Sequence, residues 1–379
     1  MSKELIEFLR EQFPHLDEVP EDCIITGGPV RDALLRRQAA DLDFASFDAP
    51  RAATEFARKS GRKRITLGTR FQTERVVVDG KPYDFSPIQG SSIEEDLGRR
   101  DFTINALALH LDGRLIDPFR GVRDLENEVL RMVLEENLLD DPLRIVRAPR
   151  MTGTFGFLIE PATLASCRQH VDAIAAVAAE RVTHELRLIL TCLNPRRAGE
   201  DLHATGLDRH LFGFELRDTD IDAWERLVTN PDRPVDSAVP IVAMLLIGQK
   251  SARERFLERW MWQRDELREV QSVQRVLDAT SGNGRDLLLI AAEEGRKIAM
   301  ISERILEARG DEHEALKLRE VLDRQPSPFA VRSILDGNQI AAITGATGPE
   351  IGRLKRKLWE MQVTGEVTSE EEARGVLGR

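Results

Sequence analysis

Apolar and polar positions alternate in two different ways along this chain, and the change of rhythm marks its organisation. Leu5, Ile6, Leu9 and Phe13 recur at helical spacing, so residues 3–13 are expected to form an amphipathic helix. Cys23-Ile24-Ile25 predicts a buried strand. Gly27-Gly28-Pro29 ends it, and Pro29 suits the first turn of a new helix, where its missing N–H costs nothing. Arg51 to Ser60 has helical character. Ile65-Thr66-Leu67-Gly68, Arg75-Val76-Val77-Val78 and Lys81-Pro82-Tyr83-Asp84-Phe85 predict strands, with Asp79-Gly80 as a hairpin turn. The first 85 or so residues are therefore expected to be mixed α/β around a small sheet. An apolar run after Arg99-Arg100 predicts another helix. From about residue 138 no strand pattern appears, and helical periodicity continues to the end. It is broken near Asn194-Pro195, Asn230-Pro231, Ser281-Gly282-Asn283-Gly284 and Gln325-Pro326-Ser327-Pro328. The expected class is α+β, a small mixed sheet with helices followed by an all-helical remainder.

Composition narrows this only a little. With 379 residues the chain has room for two to four domains, and 41% hydrophobic residues is ordinary for a globular protein. It has no run of about 18 apolar residues that would span a membrane. The start, Met1-Ser2-Lys3-Glu4-Leu5, lacks a signal-peptide layout. Cys23, Cys167 and Cys192 are scattered, which fits a reducing cytoplasm and offers neither a zinc cluster nor a disulfide frame. The net charge of −11 argues against a general nucleic-acid binder, but local fields decide such binding. Arginine is concentrated around 99–150, and Arg353-Leu354-Lys355-Arg356-Lys357 is a basic run. A single tyrosine and few other aromatics argue against a base-stacking platform.

The chemistry concentrates between Gly27 and Asp43. Neither glycine carries a Cβ, so the backbone can approach something large, and a helix opening there aims free N–H groups at an anion. Asp41 and Asp43 are two residues apart, so on a strand both carboxylates point to one face. Such a pair repels itself unless a cation intervenes, and hard Mg²⁺ is the natural guest. Asp84 is either a third carboxylate for the same site or a solvated strand residue.

A second concentration is Leu138-Leu139-Asp140-Asp141-Pro142-Leu143-Arg144-Ile145-Val146-Arg147-Ala148-Pro149-Arg150. Pro142 fits the first helical position with Asp141 as N-cap. Arg144, Arg147 and Arg150 step by three along one ridge. Taken alone, the ridge can equally be a solvated face paired with Asp140 and Asp141. Pro149 lies inside the helix, where it is expected to bend the axis and redirect Arg150.

Gly27-Gly28-Pro29-Val30-Arg31-Asp32 followed by Asp41-Leu42-Asp43 resembles the signature of the nucleotidyltransferase superfamily with its polymerase-β-like fold. Arg99-Arg100-Asp101-Phe102-Thr103-Ile104-Asn105-Ala106-Leu107 and Leu115 to Leu125 resemble motifs of class II tRNA nucleotidyltransferases and bacterial poly(A) polymerases. The likeness spans roughly residues 22–200, with a fainter echo at the C-terminus.

The resemblance implies a nucleotidyltransferase head over 1–137, a helical neck that reads the base over 138–200, and a tRNA-binding body and tail over 201–379. It implies two Mg²⁺ ions on Asp41 and Asp43, one at the tRNA 3′-hydroxyl and one at the triphosphate. Gly28, Arg31 and Arg100 would lie against the triphosphate. Asp141 and Arg144 would read the base, and Arg147 and Arg150 would help hold the nucleotide. The family pattern here is Glu-Asp-x-x-Arg-x-x-Arg, and Asp140 departs from its Glu. Arg353, Lys355, Arg356 and Lys357 suit phosphate contacts on tRNA, or a solvated basic face. Only Ser86 to Ser92 separates the Tyr83-Asp84-Phe85 strand from Ile93-Glu94-Glu95-Asp96-Leu97, where complete CCA-adding relatives carry a longer charged loop. That shortening resembles enzymes that add two cytidines from CTP and leave the final A to a separate enzyme. Full CCA addition using ATP as well, a poly(A) polymerase and an inactive RNA-binding relative are the alternatives.

Overall fold

A computed structural model describes residues 2–67, 73–235 and 237–378, which pack as two compact units, Met1–Glu185 with Glu200–His210, and Leu186–Gly199 with Leu211–Arg379. The first unit opens with α1 (Ser2–Gln12), whose Leu5, Ile6 and Leu9 are buried together with Phe13 just beyond it. β1 (Ile24–Thr26) leads through Gly27 into α2 (Gly28–Leu34). β2 (Leu42–Ser46) follows, then α3 (Ala49–Ser60), whose start is capped by Asp48 accepting from the Arg51 N–H. β3 (Arg64–Leu67), β4 (Thr73–Val78) and β5 (Lys81–Pro87) complete the main sheet strands of this half. Gly68, predicted to end a strand, lies outside the described residues. Asp79 and Gly80 both adopt positive φ (51° and 80°), the geometry of a tight hairpin turn between β4 and β5.

Among the described residues the sheet has seven strands in the order β3-β4-β5-β2-β1-β6-β7, where β6 is Ala108–His110 and β7 is Leu115–Ile116. β2 and β5 run parallel and the other pairs are antiparallel. Their register decides where the acids go. Leu42 pairs with Tyr83, Asp43 with Asp84, and Phe44 with Phe85. Alternation sends Leu42, Phe44, Tyr83 and Phe85 to one face, where the rings meet Phe56 of α3 and Phe13. Burying each such ring stabilises the fold by roughly 1.5–3 kcal/mol. The same alternation leaves Asp43 and Asp84 on the opposite face. A slip of one residue would drive both carboxylates into the aromatic core, so the core fixes the site's register.

Two expectations change. The run after Arg100 is not a helix. It is a short 3₁₀ turn, Thr103–Asn105, followed by β6. The reason is tertiary: β1 offers an open edge, the Gly27 N–H donates to Leu107 O, and the segment completes the ladder against β1. The chain also makes strand after residue 138. β9 (Leu158–Ile159) pairs in parallel with β8 (Val129–Leu130), beyond α5 (Gly121–Glu126). Between them lie α6 (Glu135–Asp140) and α7 (Leu143–Phe155), and α8 (Pro161–Gln169) and α9 (Ala179–Leu190) follow.

The described residues of the second unit are helical throughout. Helices Asp218–Thr229, Arg264–Thr280 and Arg296–Arg309 frame its core. The tryptophans pack rather than offering free faces. Trp224 is fully buried and donates from Nε1 to Leu190 O, and Trp260 donates likewise to Leu211 O. Trp262 lies under the Arg187 guanidinium, and Trp359 under that of Arg356. A smaller cluster of Leu335, Ile340, Leu358, Val367 and Ala373 closes the C-terminal end. Among the described residues, no helix is long and apolar enough to cross a membrane. The three cysteines are free and buried.

Candidate active site

Asp41, just before β2, Asp43 on β2 and Asp84 on β5 each offer a carboxylate oxygen, and these atoms lie within 4.8 Å of one another. Burial and then the neighbouring acids Asp41 and Asp84 push the Asp43 carboxyl up to about 7. Burial, followed by the charge of Asp84, raises Asp41 as well. An all-oxygen set that resists its own ionisation fits a hard divalent cation, which would relieve both penalties at once. Asp84 therefore joins the pair as a member of the cluster. It is not a solvated strand residue: it is buried, and Arg75 grips it with Nε to Oδ1 at 2.7 Å and Nη2 to Oδ2 at 2.6 Å.

The glycine turn has a more specific role than a general close approach. Gly27 has φ +74°, and a Cβ there would come within 2.4 Å of Arg100 Nη1. Gly27 thus admits the Arg100 side chain, while Gly28 has open space beside it apart from Arg31 Nη2 at 3.6 Å. Arg100 donates to Asn105 O (3.4 Å) and to Asp96 Oδ2 (3.3 Å). Arg31 donates to Asp32 Oδ1 (2.9 Å) and Asn105 Oδ1 (2.6 Å), and its guanidinium stacks 4.6 Å from the Phe155 ring centre.

Asn105 begins a polar chain that runs from the glycine turn to α7. Its Nδ2 donates to Asp101 Oδ1 at 3.0 Å, and Asp101 Oδ2 lies 3.0 Å from Arg147 Nη1. Burial opposes the charge on Asp101, but Arg147, the Asn105 amide and the Phe102 N–H outweigh it and hold the carboxyl below its ordinary range. Glu185 of α9, also buried, lies 3.0 Å from Arg150 Nε and 3.9 Å from Arg147 Nε. The arginine ridge is therefore not a solvated face paired with Asp140 and Asp141. Glu185 reaches across from α9 to pair with this ridge of α7.

Asp141 does not cap α7. It terminates α6, its carbonyl accepts from the Arg144 N–H (3.0 Å), and Pro142 stands at the cap position of α7. Its carboxylate accepts instead from Arg181 Nη2 of α9 at 2.8 Å. Arg144 is partly buried, which lowers the pKa of its guanidinium, and its Nη1 is buried without a hydrogen-bond partner. α7 continues through Pro149, so Arg150 stays on the ridge, where burial lowers its pKa too.

Asp101, Asn105, Phe155, Arg181 and Glu185 were not singled out from sequence as site residues. Asp101 and Asn105 lie inside the quoted Arg-Arg-Asp motif, whereas Phe155, Arg181 and Glu185 lie outside every quoted motif. Membership of that motif is the available signal for Asp101 and Asn105. In the second unit, Arg353, Lys355, Arg356 and Lys357 are all exposed on the helix Pro349–Thr364. Arg356 is committed to Glu293 (3.0 Å) and Glu360 (2.9 Å).

Comparison with known proteins gives consistent matches. Residues 23–131 match a family described as the poly A polymerase head domain. Residues 156–216 match one described as "Probable RNA and SrmB- binding site of polymerase A". A CC-adding tRNA nucleotidyltransferase of Synechocystis sp. is 35% identical over 290 residues, covering 70% of this chain and 69% of its own. An A-adding tRNA nucleotidyltransferase of Deinococcus radiodurans is 29% identical over 97% of both chains. A crystal structure of the Bacillus stearothermophilus CCA-adding enzyme in complex with CTP superposes with a TM-score of 0.74. It has 25% identity and covers 99% of this chain and 96% of that one.

Proposed function

The chain belongs to the tRNA nucleotidyltransferase and poly(A) polymerase family, and on that premise we propose that it adds two cytidines from CTP to the tRNA 3′ end without a template. The observation that carries the chemistry is the cluster of Asp41, Asp43 and Asp84, in the same unit as the polar chain that joins the Gly27 turn to α7. Asp41 and Asp43, with Asp84 beside them, would hold Mg²⁺, two ions in this reading. When bound, these supply Lewis-acid stabilisation of phosphoryl oxygens and favour ionisation of the attacking hydroxyl. Arg100, held by Asn105 and Asp96, and Arg31, held by Asn105 and Asp32, set positive charge beside Gly27 and Gly28 respectively, where the triphosphate oxygens would lie.

Base choice falls to Asp141 and Arg144. A carboxylate accepts and a guanidinium donates. Cytosine presents N4–H beside the N3 acceptor, and adenine presents N6–H beside N1 in the same order. Uracil and guanine reverse the order, leaving buried groups unpaired at about 1–3 kcal/mol each. The unpartnered Arg144 Nη1 and the Arg181 grip on Asp141 support this reading, since one leaves a donor free and the other fixes the acceptor. Arg147 and Arg150 would hold the nucleotide through a rigid, charge-balanced scaffold.

The count of two nucleotides is supported by a length. Residues 88–92 are all that join β5 to α4 (Ile93–Gly98), so the longer charged loop of complete CCA-adding relatives has no counterpart here. We retain the division into head (1–137), neck (138–200) and tRNA-binding body (201–379), with Arg353, Lys355 and Lys357 as the available tail cations. A cytoplasmic location is consistent with the reduced, buried cysteines. The test is incubation with tRNA lacking its 3′ end, Mg²⁺ and single or paired nucleotides. The expected product is +CC with CTP and nothing further with ATP. Addition of A after CC would replace this reading with full CCA addition, and silence with CTP would remove it.

A further inference from the structure

The sheet register sets a fourth charged residue beside the carboxylate cluster. Asp43 of β2 lies opposite Asp84 of β5, and Asp84 lies opposite Arg75 of β4. Residues directly opposite share a face, so Asp43, Asp84 and Arg75 form one row across three strands. Arg75 closes on Asp84 with two parallel bonds, 2.7 and 2.6 Å, the fork-to-fork geometry of a strong charge-assisted pair. Asp84 is buried, while the Arg75 side chain keeps about a third of its surface exposed (34%). Its positive charge also favours the ionised forms of Asp41 and Asp43, against the burial that opposes them.

Such a pair could be no more than a cross-strand staple. Its place argues for more. The partner of Arg75 is a member of the cluster, and both of that carboxylate's oxygens already accept from it. A cation drawn to the cluster meets a fixed guanidinium and a ligand already engaged. Three carboxylates stand against the guanidinium that grips Asp84 and the additional positive charge of Arg100 that acts on Asp43, so the row keeps room for a cation whose affinity the fixed arginine tempers.

We propose that Arg75 is a positioning residue that sets the affinity of the Asp41, Asp43 and Asp84 cluster for divalent cations. It does so by engaging Asp84 and placing a positive charge in the row. The proposal rests on the metal-binding reading of the cluster, and the experiment separates the two. Mn²⁺ binding to the nucleotide-free, full-length protein is measured by electron paramagnetic resonance. Wild type, Arg75→Met and Arg75→Lys are compared, with Asp43→Ala as the control. Removing a positive charge a few ångströms from a dication tightens its binding by roughly tenfold at a solvent-accessible site, so Arg75→Met should gain about that much. Arg75→Lys keeps the charge but frees one Asp84 oxygen, and should gain roughly threefold. A merely structural arginine would lower thermal stability in both variants without tightening Mn²⁺. Unchanged or weaker Mn²⁺ binding in both folded variants overturns the role of Arg75 and leaves the metal reading standing. Should Arg75→Met fail to fold, Arg75→Lys alone decides. Absence of Mn²⁺ binding that distinguishes wild type from Asp43→Ala overturns the metal reading and this inference with it.

Discussion

The carboxylate cluster on the sheet and the arginine ridge on α7 are both built from closely spaced charges, yet they are built in opposite ways. In the cluster, like charges converge and are only partly offset by Arg75 and Arg100, and the aromatic face beneath them enforces the register. On the ridge, Arg147 and Arg150 are balanced by Asp101 and Glu185, which reach them from far along the chain. An assembly of like charges held together by a core invites a ligand that supplies the opposite charge. An assembly already balanced invites a scaffolding role, with Asp141 and Arg144 at its end as the proposed readers of the base.

Breaking the cluster should have the largest effect. Asp43→Ala is expected to lower CTP incorporation by about a thousandfold or more, roughly 4 kcal/mol in barrier. It should not unfold the sheet, since it removes a repelled carboxylate, and incorporation near the wild-type rate would sink the catalytic assignment. Breaking the ridge should instead cost stability. Asp101→Ala leaves Arg147 without its buried partner and is expected to destabilise the protein by about 3 kcal/mol. Urea unfolding followed by far-UV circular dichroism would read this, because all four tryptophans lie in the other unit. A loss under 1 kcal/mol would mean that the ridge is not held by this pair.

The cluster should also couple metal to pH. The Asp43 carboxyl sits at about 7 when folded, against its ordinary 3.8. Between those values the native state holds a proton that the unfolded chain releases, so without metal this group makes stability fall as pH rises from about 4 to 7. A bound cation favours the ionised carboxylates. Mg²⁺ at ten times its pH 8 dissociation constant should therefore stabilise the fold by about 1.4 kcal/mol at pH 8, and the same Mg²⁺ concentration should raise the melting temperature less at pH 5. Equal stabilisation at both pH values contradicts this. The smallest effect is expected far from both regions. Neutralising Arg353, Lys355 and Lys357 should weaken tRNA binding a few-fold and reduce its salt slope by roughly 2. An unchanged slope would reassign the tail cations to a solvated face.

The two regions also differ in how far they can be read from sequence. Leu42-Asp43-Phe44 and Tyr83-Asp84-Phe85 state their own geometry, because apolar residues on either side of an acid fix which face it takes. The hairpin at Asp79-Gly80, α1, α3 and the helical breaks were legible for the same local reason. The segment after Arg100 was not, since its apolar run suits a helix until the open edge of β1 claims it. Asp141 looked like an N-cap because Pro142 follows it, but Arg181, 40 residues on, takes its carboxylate. The partners of Arg147 and Arg150 are likewise set by tertiary packing. A spacing of three along a helix says that side chains share a ridge and says nothing about what faces it.

The claim that the sheet performs the chemistry while α6 and α7 choose the base is tested most directly by Asp141→Ala. The measurement is the ratio of CTP to UTP incorporation into tRNA lacking its 3′ end. With the cluster intact, some incorporation should persist while the preference for CTP falls by about ten- to a hundredfold, the worth of one or two mispaired groups. A CTP preference equal to that of wild type would contradict the assignment of base choice to Asp141 and Arg144.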